Sequence, residues 1–389
     1  MKSRWVRIAA ALALLGCGHS DTFKVAEPRM GPFNTGSDVR LTFNPDQDYW
    51  PAWTQDGRGI LYAFVNPVGP GIRADQHRCM GLLPAAGGSR IWEWCDNRQT
   101  QSDSATSFTA YALASDGRLL YVEAVAPANS ASFPRQITLW LADTAAPLTR
   151  TALLTLPVTV GTAVTWLSDI AWTGPSSFIA LGQIFGSVPH CGTCFTADTT
   201  FADSTVVGGV QAASGIVVVG SIVSGHATVQ AVSGTEGATG YSLAESGTSI
   251  VFIHRDDTRL FKVPATGGTA VVVATVTTSD QQLLGVSCKD STCLVAADAV
   301  TLFSDATAPP TYPMVTVGPK ELRAVALNTG GVQVLVSAGT SPATPVIAAP
   351  QISPTSGDVV VQIGGVWGHL STCTGCGTSD LHLYPGLVP

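Results

Sequence analysis

The 389-residue sequence lacks the short signatures of several common enzyme sites. It contains no His-Glu-x-x-His, no Gly-x-Ser-x-Gly, no P-loop and no complete EF-hand loop. The motifs of zinc peptidases, α/β-hydrolases and P-loop nucleotidases are therefore absent. We expect no cofactor and no resident metal ion, and we name no catalytic residue.

Charged residues are also scarce, and basic ones are outnumbered. Asp, Glu, Lys and Arg form 12% of the chain, with 20 basic against 27 acidic residues. If Lys2, Arg4 and Arg7 are removed with the leader described next, 17 basic residues remain and the net charge is about −10. This balance excludes nucleic acid, which requires a basic surface, and electrostatic docking on anionic lipid.

The N-terminus is typical of an export signal. Three basic residues precede a short apolar core at residues 8–15, too short to span a bilayer. The core ends in Leu14-Leu15-Gly16-Cys17, which resembles the bacterial lipobox. The resemblance implies a signal peptide at 1–16, lipid on Cys17 and, because Gly18 is not the Asp of inner-membrane retention, an outer-membrane location. An ordinary secretory signal with a chance cysteine is the alternative.

Residues 17–38 form a predicted flexible tether, since they mix Pro, Gly and polar residues without periodicity. No other stretch is long and apolar enough to cross a membrane. We therefore assign residues 39–389 to the folded domain.

Eight cysteines remain besides Cys17, an even number that favours disulfides in an exported chain. Their spacing predicts four local bridges, two across hairpin turns and two within Cys-x-x-Cys pairs: Cys79–Cys95, Cys288–Cys293, Cys191–Cys194 and Cys373–Cys376. The two Cys-x-x-Cys pairs also allow one four-cysteine zinc site, with His190 as a further ligand. An oxidising compartment favours disulfides over that alternative.

A unit of strand, tight turn and strand recurs along the chain. Its first copy surrounds Asp56-Gly57, a turn signal followed by alternating apolar residues. The 40 Gly and 24 Pro agree with many such turns. The six copies cover residues 46–64, 111–121, 169–179, 241–252, 285–295 and 324–335.

A repeat of this length with short strands predicts an all-β fold, a β-propeller of four-stranded antiparallel blades. The copies predict six blades, and the wide spacing between the third and fourth leaves seven open. We expect residues 37–43 to pair with the last blade, near residues 380–384. One or two β-sandwiches are the alternative.

The pattern Asp48-x-x-Pro51-x-Trp53-x-x-Asp56-Gly57 resembles the WD-like propeller repeat of the TolB type. The match is good in the first copy, partial in the second and fourth, and poor in the others. The resemblance implies an architectural role for these residues. TolB itself carries a separate domain before its propeller, so a Tol-Pal role is not expected here.

Two groups of polar residues are weak candidates for a ligand site. Asp46 and Asp48 resemble the start of a calcium loop, but a role in backbone hydrogen bonding is the alternative. His254, Asp256 and Asp257 belong to the densest charged run, which is also typical of a solvated hairpin loop. Seven tryptophans suggest a carbohydrate-binding face, although most fall inside the repeat and therefore indicate core packing.

The sequence therefore predicts a lipid-anchored envelope lipoprotein whose propeller is a non-catalytic binding or scaffold module. Its expected partners are the membrane, through the anchor, and another envelope protein or a small polar ligand. The alternative is a propeller hydrolase that acts on sugars or lactones with channel-facing carboxylates or a metal ion.

Overall fold

The computed structural model describes most of the chain between residues 38 and 388. The described residues are 38–42, 48–64, 79–95, 104–127, 136–158, 163–187, 210–254, 257–277, 283–297, 300–302, 315–317, 320–338, 346–364 and 379–388. They all belong to the unit Gly31–Pro389. Their secondary structure is almost entirely antiparallel β-strand, with one short 3-10 turn at Glu245–Gly247.

The strands form six four-stranded sheets, which we number as blades in chain order. The first three blades contain β2 (Asp48–Trp53), β3 (Gly59–Phe64), β4 (Cys79–Pro84), β5 (Trp92–Cys95); β6 (Ser104–Leu113), β7 (Arg118–Pro127), β8 (Gln136–Asp143), β9 (Ala146–Pro157); and β10 (Trp166–Gly174), β11 (Ser177–Ser187), β12 (Val210–Val223), β13 (His226–Ala231).

Blades four to six follow the same plan, except that the last strand of blade six is β1 (Val39–Arg40). They contain β14 (Ala238–Ala244), β15 (Ser249–His254), β16 (Arg259–Pro264), β17 (Val271–Thr275); β18 (Val286–Lys289), β19 (Thr292–Ala297), β22 (Glu321–Ala326), β23 (Val332–Ser337); and β24 (Val346–Ile352), β25 (Val359–Gly364), β26 (Ser379–Tyr384). A small extra hairpin joins β20 (Val300–Leu302) to β21 (Val315–Val317).

The fold is a six-blade β-propeller, as the repeat predicted. The first strands contact one another in five of the six neighbouring pairs of blades, and β14 contacts β11 and β12 of blade three, so β2, β6, β10, β14, β18 and β24 are innermost. The predicted closure is confirmed, because Val39 and Arg40 pair with Leu383 and His382 of β26.

Six apolar layers between the blades form the core. Each of the six buried clusters draws its side chains from two adjacent blades, including the pair of blades one and six. Every residue of β3 and of β25 is buried, whereas β13 and β17 at the outside are mostly exposed. Inner strands are therefore apolar on both faces, because each face packs against another blade.

The structure corrects one copy of the repeat. Residues 324–335 do not open a sixth blade, since they lie in β22 and β23, the outer hairpin of blade five. The first hairpin of blade six is β24–β25, which turns at residues 353–358. This hairpin was missed because Ser-Pro-Thr-Ser-Gly stands where the first two copies have Asp-Gly.

Two of the predicted disulfides are confirmed. Cys79 and Cys95 are register partners on β4 and β5, and Cys288 and Cys293 are partners on β18 and β19. Each bridge therefore links strands that are already paired. The other four predicted cysteines, and with them the zinc alternative, lie outside the described residues and stay predictions: Cys191, Cys194, Cys373 and Cys376.

One glycine marks a very close approach of two blades. Gly215 of β12 is buried against blade four, and a Cβ there would lie 1.8 Å from the carbonyl oxygen of Ala238. The Gly215 carbonyl also accepts a hydrogen bond of 2.7 Å from the Gly237 amide. Any larger residue must therefore push blades three and four apart.

We expect Gly215→Ala to lower the free energy of unfolding by about 3 kcal/mol or more, because the contact is with rigid backbone. Urea denaturation would measure this loss. Gly247→Ala is the control: its φ of 84° disfavours alanine, but no atom lies within 4 Å of the new Cβ. That variant should lose only about 1 kcal/mol. Equal losses in the two variants would contradict close packing at Gly215.

Candidate functional site

The innermost strands surround the central channel. In five of these six strands the pairing with the second strand of the blade shifts register. Ladder pairing breaks after Tyr49, Phe108, Ser168, Ala238 and Ala348, and in blade five Gly285, with a φ of 78°, precedes β18. We call the irregular residues the bulge ring: Trp50, Thr109, Asp169, Thr239, Gly285 and Ala349. A bulge turns side chains away from the regular alternation of the sheet.

Three residues of the bulge ring adopt a left-handed backbone conformation that is uncommon for side-chain-bearing residues. Trp50, Asp169 and Ala349 have φ values of 47°, 45° and 46°. Three unrelated side chains share this conformation, so the blade geometry imposes it. Strain of this kind persists only where the surrounding structure holds it firmly.

Two tyrosines hold the bulges of blades one and three. The Tyr111 hydroxyl donates a 2.6 Å hydrogen bond to the Trp50 carbonyl, and the Tyr241 hydroxyl donates to the Asp169 carbonyl. Burial raises the pKa of both phenols well above the usual value, with a further contribution from nearby Asp169 in each case. Both hydroxyls therefore remain protonated donors, and they satisfy carbonyls that the bulges remove from the ladder.

Polar contacts join the other innermost strands. Between blades two and three, the Thr109 hydroxyl donates to the Leu167 carbonyl at 3.5 Å. Between blades six and one, the Trp50 amide donates to the Gln362 side-chain oxygen at 3.3 Å. The Ser242 and Ser287 hydroxyls accept backbone N–H groups from the next blade at 2.8 and 2.9 Å. Together with the two tyrosines, these hydrogen bonds join every pair of neighbouring blades around the channel.

Asp169 is the one ionisable group in the bulge ring; the residue is exposed and lies on an innermost strand, beside the channel. Within the described part of the chain, its carboxylate has no hydrogen-bond or ion-pair partner. Water reaches the carboxylate, yet protein encloses it closely enough that desolvation raises its pKa to about 6. The channel thus contains a poorly solvated carboxylate that is mostly ionised at neutral pH.

The sequence signal for Asp169 lies in the repeat itself. Asp169-Ile-Ala-Trp-Thr matches Trp50-Pro-Ala-Trp-Thr, so an acidic residue stands where the first copy has tryptophan. The tryptophan three positions further on in each copy is architectural. The indole N–H of Trp53 donates to the Gln351 carbonyl and that of Trp172 to the Ala112 carbonyl, each in the preceding blade. Sequence reasoning missed Asp169 because only the bulge places it in the channel.

Of the first pair of predicted site residues, Asp46 and Asp48, the structure describes only Asp48. Asp48 begins β2 and is fully buried, and its charge contributes to the raised pKa of Tyr111. Asp46 lies outside the described residues. Asp48 also differs from Asp169 in having no exposure to the channel, so the two carboxylates do not form a matched pair.

The described residues of the second predicted group lie in the hairpin between β15 and β16, as predicted by the alternative that read these residues as a hairpin loop. His254 ends β15, and its ring packs 4.6 Å from that of Phe261. Arg259 donates three side-chain hydrogen bonds of 2.7 to 3.2 Å to Asp257, and these bonds lower the pKa of that carboxyl. Asp256 lies outside the described residues. Blade four is opposite blade one, so this group and Asp48 do not share one site.

The remaining predicted residues form no further site in the part of the chain that can be inspected. Among the described residues, no three or more His, Cys, Asp or Glu side chains lie close enough together to hold a metal ion. No helix in that part of the chain is long and apolar enough to cross a membrane. Cys17 lies outside the described residues, so its lipidation stays a prediction.

Comparison with known proteins supports the fold. No protein-family model and no curated protein matches the sequence. A luciferin-regenerating enzyme aligns over 90% of this chain and 95% of its own, with 10% identity and a TM-score of 0.52. Regucalcin from Agrobacterium tumefaciens, a calcium-binding protein, aligns over 91% of this chain and 96% of its own, with 11% identity and a TM-score of 0.48. At 10% identity, the likeness to the luciferin-regenerating enzyme shows the propeller fold alone.

We expect Asp169→Asn to raise the melting temperature at pH 7.5 and to raise it far less at pH 4. The folded-state pKa of about 6 exceeds the ordinary value of 3.8, so the fold favours the protonated acid. The ionised carboxylate therefore destabilises the protein above pH 6, and this penalty disappears as the pH falls. Asparagine also tolerates a positive φ.

Asp257→Asn is the matched control, because it removes a carboxylate whose pKa is lowered by its hydrogen bonds to Arg259. Its melting temperature should fall at pH 7.5, opposite in sign to Asp169→Asn. Thermal unfolding followed by circular dichroism would measure both variants. A fall in melting temperature for Asp169→Asn at pH 7.5 would show that its carboxylate has a stabilising partner.

Proposed function

We propose that this chain is an exported bacterial lipoprotein, anchored through Cys17 in the outer membrane, whose six-blade propeller is a non-catalytic binding module. The observation that carries the binding role is the bulge ring, in which Asp169 is the one residue with an ionisable side chain. General acid–base chemistry on a sugar requires two such groups. A rigid channel with one charge is suited to recognition.

Export is supported by the leader and by the cysteine pairing. Disulfides persist in oxidising compartments outside the cytoplasm, and both described bridges join register partners. The leader ends in Leu14-Leu15-Gly16-Cys17, and several acyl chains on one cysteine anchor a protein stably. The acidic balance of the mature chain leaves the lipid, not surface charge, as the attachment.

Substitutions at the lipobox test whether the protein is lipid-anchored and in which membrane it resides. We expect the wild-type chain to sediment with outer membranes and to carry the mass of lipid on Cys17. Cys17→Ser should leave the membrane fraction. Gly18→Asp is the matched control, because it keeps the lipidated cysteine and should move the protein to the inner membrane. Membrane retention of Cys17→Ser, or an unmodified wild-type Cys17, would reject the anchor.

Cross-linking in native membranes tests the partner. The tagged, lipidated chain would be captured and its partners identified by mass spectrometry, beside an unrelated lipoprotein of the same membrane. We expect a reproducible envelope protein that is absent from the control. A blank result in repeated captures would reject the protein-scaffold version and leave small-ligand binding as the role of the propeller.

A further inference from the structure

The bulge ring exposes hydrogen-bond acceptors on one side of the channel. Asp169 contributes an unpartnered carboxylate, and Thr109 and Thr239 flank it on the neighbouring blades. The threonine hydroxyls already donate their hydrogens to the Leu167 and Ile253 carbonyls, at 3.5 and 3.3 Å. Each hydroxyl oxygen therefore has lone pairs and no hydrogen to offer. A carboxylate flanked by two such acceptors favours a ligand rich in N–H groups.

An aromatic residue lies in the same ring. Trp50 is half-buried and packs against the core between blades one and two, two blades away from Asp169. An indole face attracts cations and also covers apolar groups. None of the six residues of the bulge ring is basic, so the ring offers no competing positive charge.

Two buried polar groups border the ring without partners among the described residues. The Ser168 hydroxyl directly precedes Asp169, and the residue is 7% exposed. The Gln362 side-chain nitrogen is also unpartnered, although the oxygen of the same amide accepts from Trp50. Buried polar groups are normally satisfied, so both atoms are open to a polar ligand; the Ser168 hydroxyl can accept or donate, whereas the Gln362 nitrogen can only donate and does not itself favour a cation.

We propose that the channel binds a small organic cation, a primary ammonium on an apolar body, with Asp169 as its counter-ion and Thr109 and Thr239 as hydrogen-bond acceptors. This inference rests on the proposed binding role and gives it a ligand class. An ammonium group would restore the partner that the carboxylate lacks. The apolar body would cover the indole of Trp50.

The titratable neighbours of Asp169 determine how binding depends on pH. Tyr111 and Tyr241 stay protonated, since their pKa values are raised, and buried Asp48 contributes to the raised pKa of Tyr111. Of these three groups and Asp169, only Asp169 changes charge near neutrality; His254, which pairs with Ala238 beside Thr239, has a pKa lowered by burial. Because its pKa is about 6, roughly nine tenths of the carboxylate is protonated at pH 5, so affinity for an ammonium falls about tenfold from its value at pH 7.5.

Calorimetric titration of the full chain tests the inference with benzylamine and 1,5-diaminopentane, and with benzyl alcohol as the neutral isostere. We expect saturable binding of at least one amine, weakened at least about tenfold in Asp169→Asn. Benzyl alcohol should bind at least about tenfold more weakly than benzylamine. Asp116→Asn, at an exposed turn of blade two, is the matched control and should bind like the wild type.

A second variant keeps the test independent of folding in Asp169→Asn. Thr239→Val removes one acceptor and should weaken amine binding about threefold to tenfold while the protein remains folded. The inference is overturned if neither amine binds at millimolar concentration, if the alcohol binds equally well, or if Asp169→Asn retains wild-type affinity. Lipid anchoring and partner capture do not depend on this result, so its failure would leave those two tests standing.

Discussion

The packing of each blade against two neighbours is the constraint on which the whole structure depends. A four-stranded sheet with both faces apolar cannot stay in water alone, so the six sheets are stable only as a closed ring. Closure joins the two ends of the described chain. Leu41 donates to the Leu381 carbonyl at 2.7 Å, the Leu381 amide donates to the Thr42 hydroxyl at 2.9 Å, and Arg40 pairs with Asp380 at 2.7 Å.

The first four blades alternate in how they hold the channel wall. Blades one and three carry a tryptophan whose indole reaches the preceding blade, at Trp53 and Trp172. Blades two and four carry a tyrosine whose hydroxyl holds the preceding bulge, at Tyr111 and Tyr241. The structural repeat there spans two blades, which explains why the second and fourth copies match each other better than they match the first.

The stability of the packed ring offsets the cost of the unpaired charge of Asp169. The left-handed backbone at Asp169 and the enclosed carboxylate both oppose folding, while the apolar layers on either side of blade three favour it. Residues that work against stability are expected where they serve recognition. This contrast separates Asp169 from Asp257, whose hydrogen bonds to Arg259 give it a structural role.

The sequence alone predicted six blades with seven left open, placed five of the six repeat copies correctly, and predicted the ring closure, two disulfides and, as a hypothesis, the export signal. These features depend on local pattern: turn signals recur along the chain, with Asp-Gly in the first two copies, and cysteines placed symmetrically about a hairpin turn become register partners. Only the tertiary structure assigned residues 324–335 to the outside of blade five and brought Asp169 into the channel. The reason is physical, because a bulge changes which way a side chain faces, and residues about sixty positions apart meet only when neighbouring blades pack.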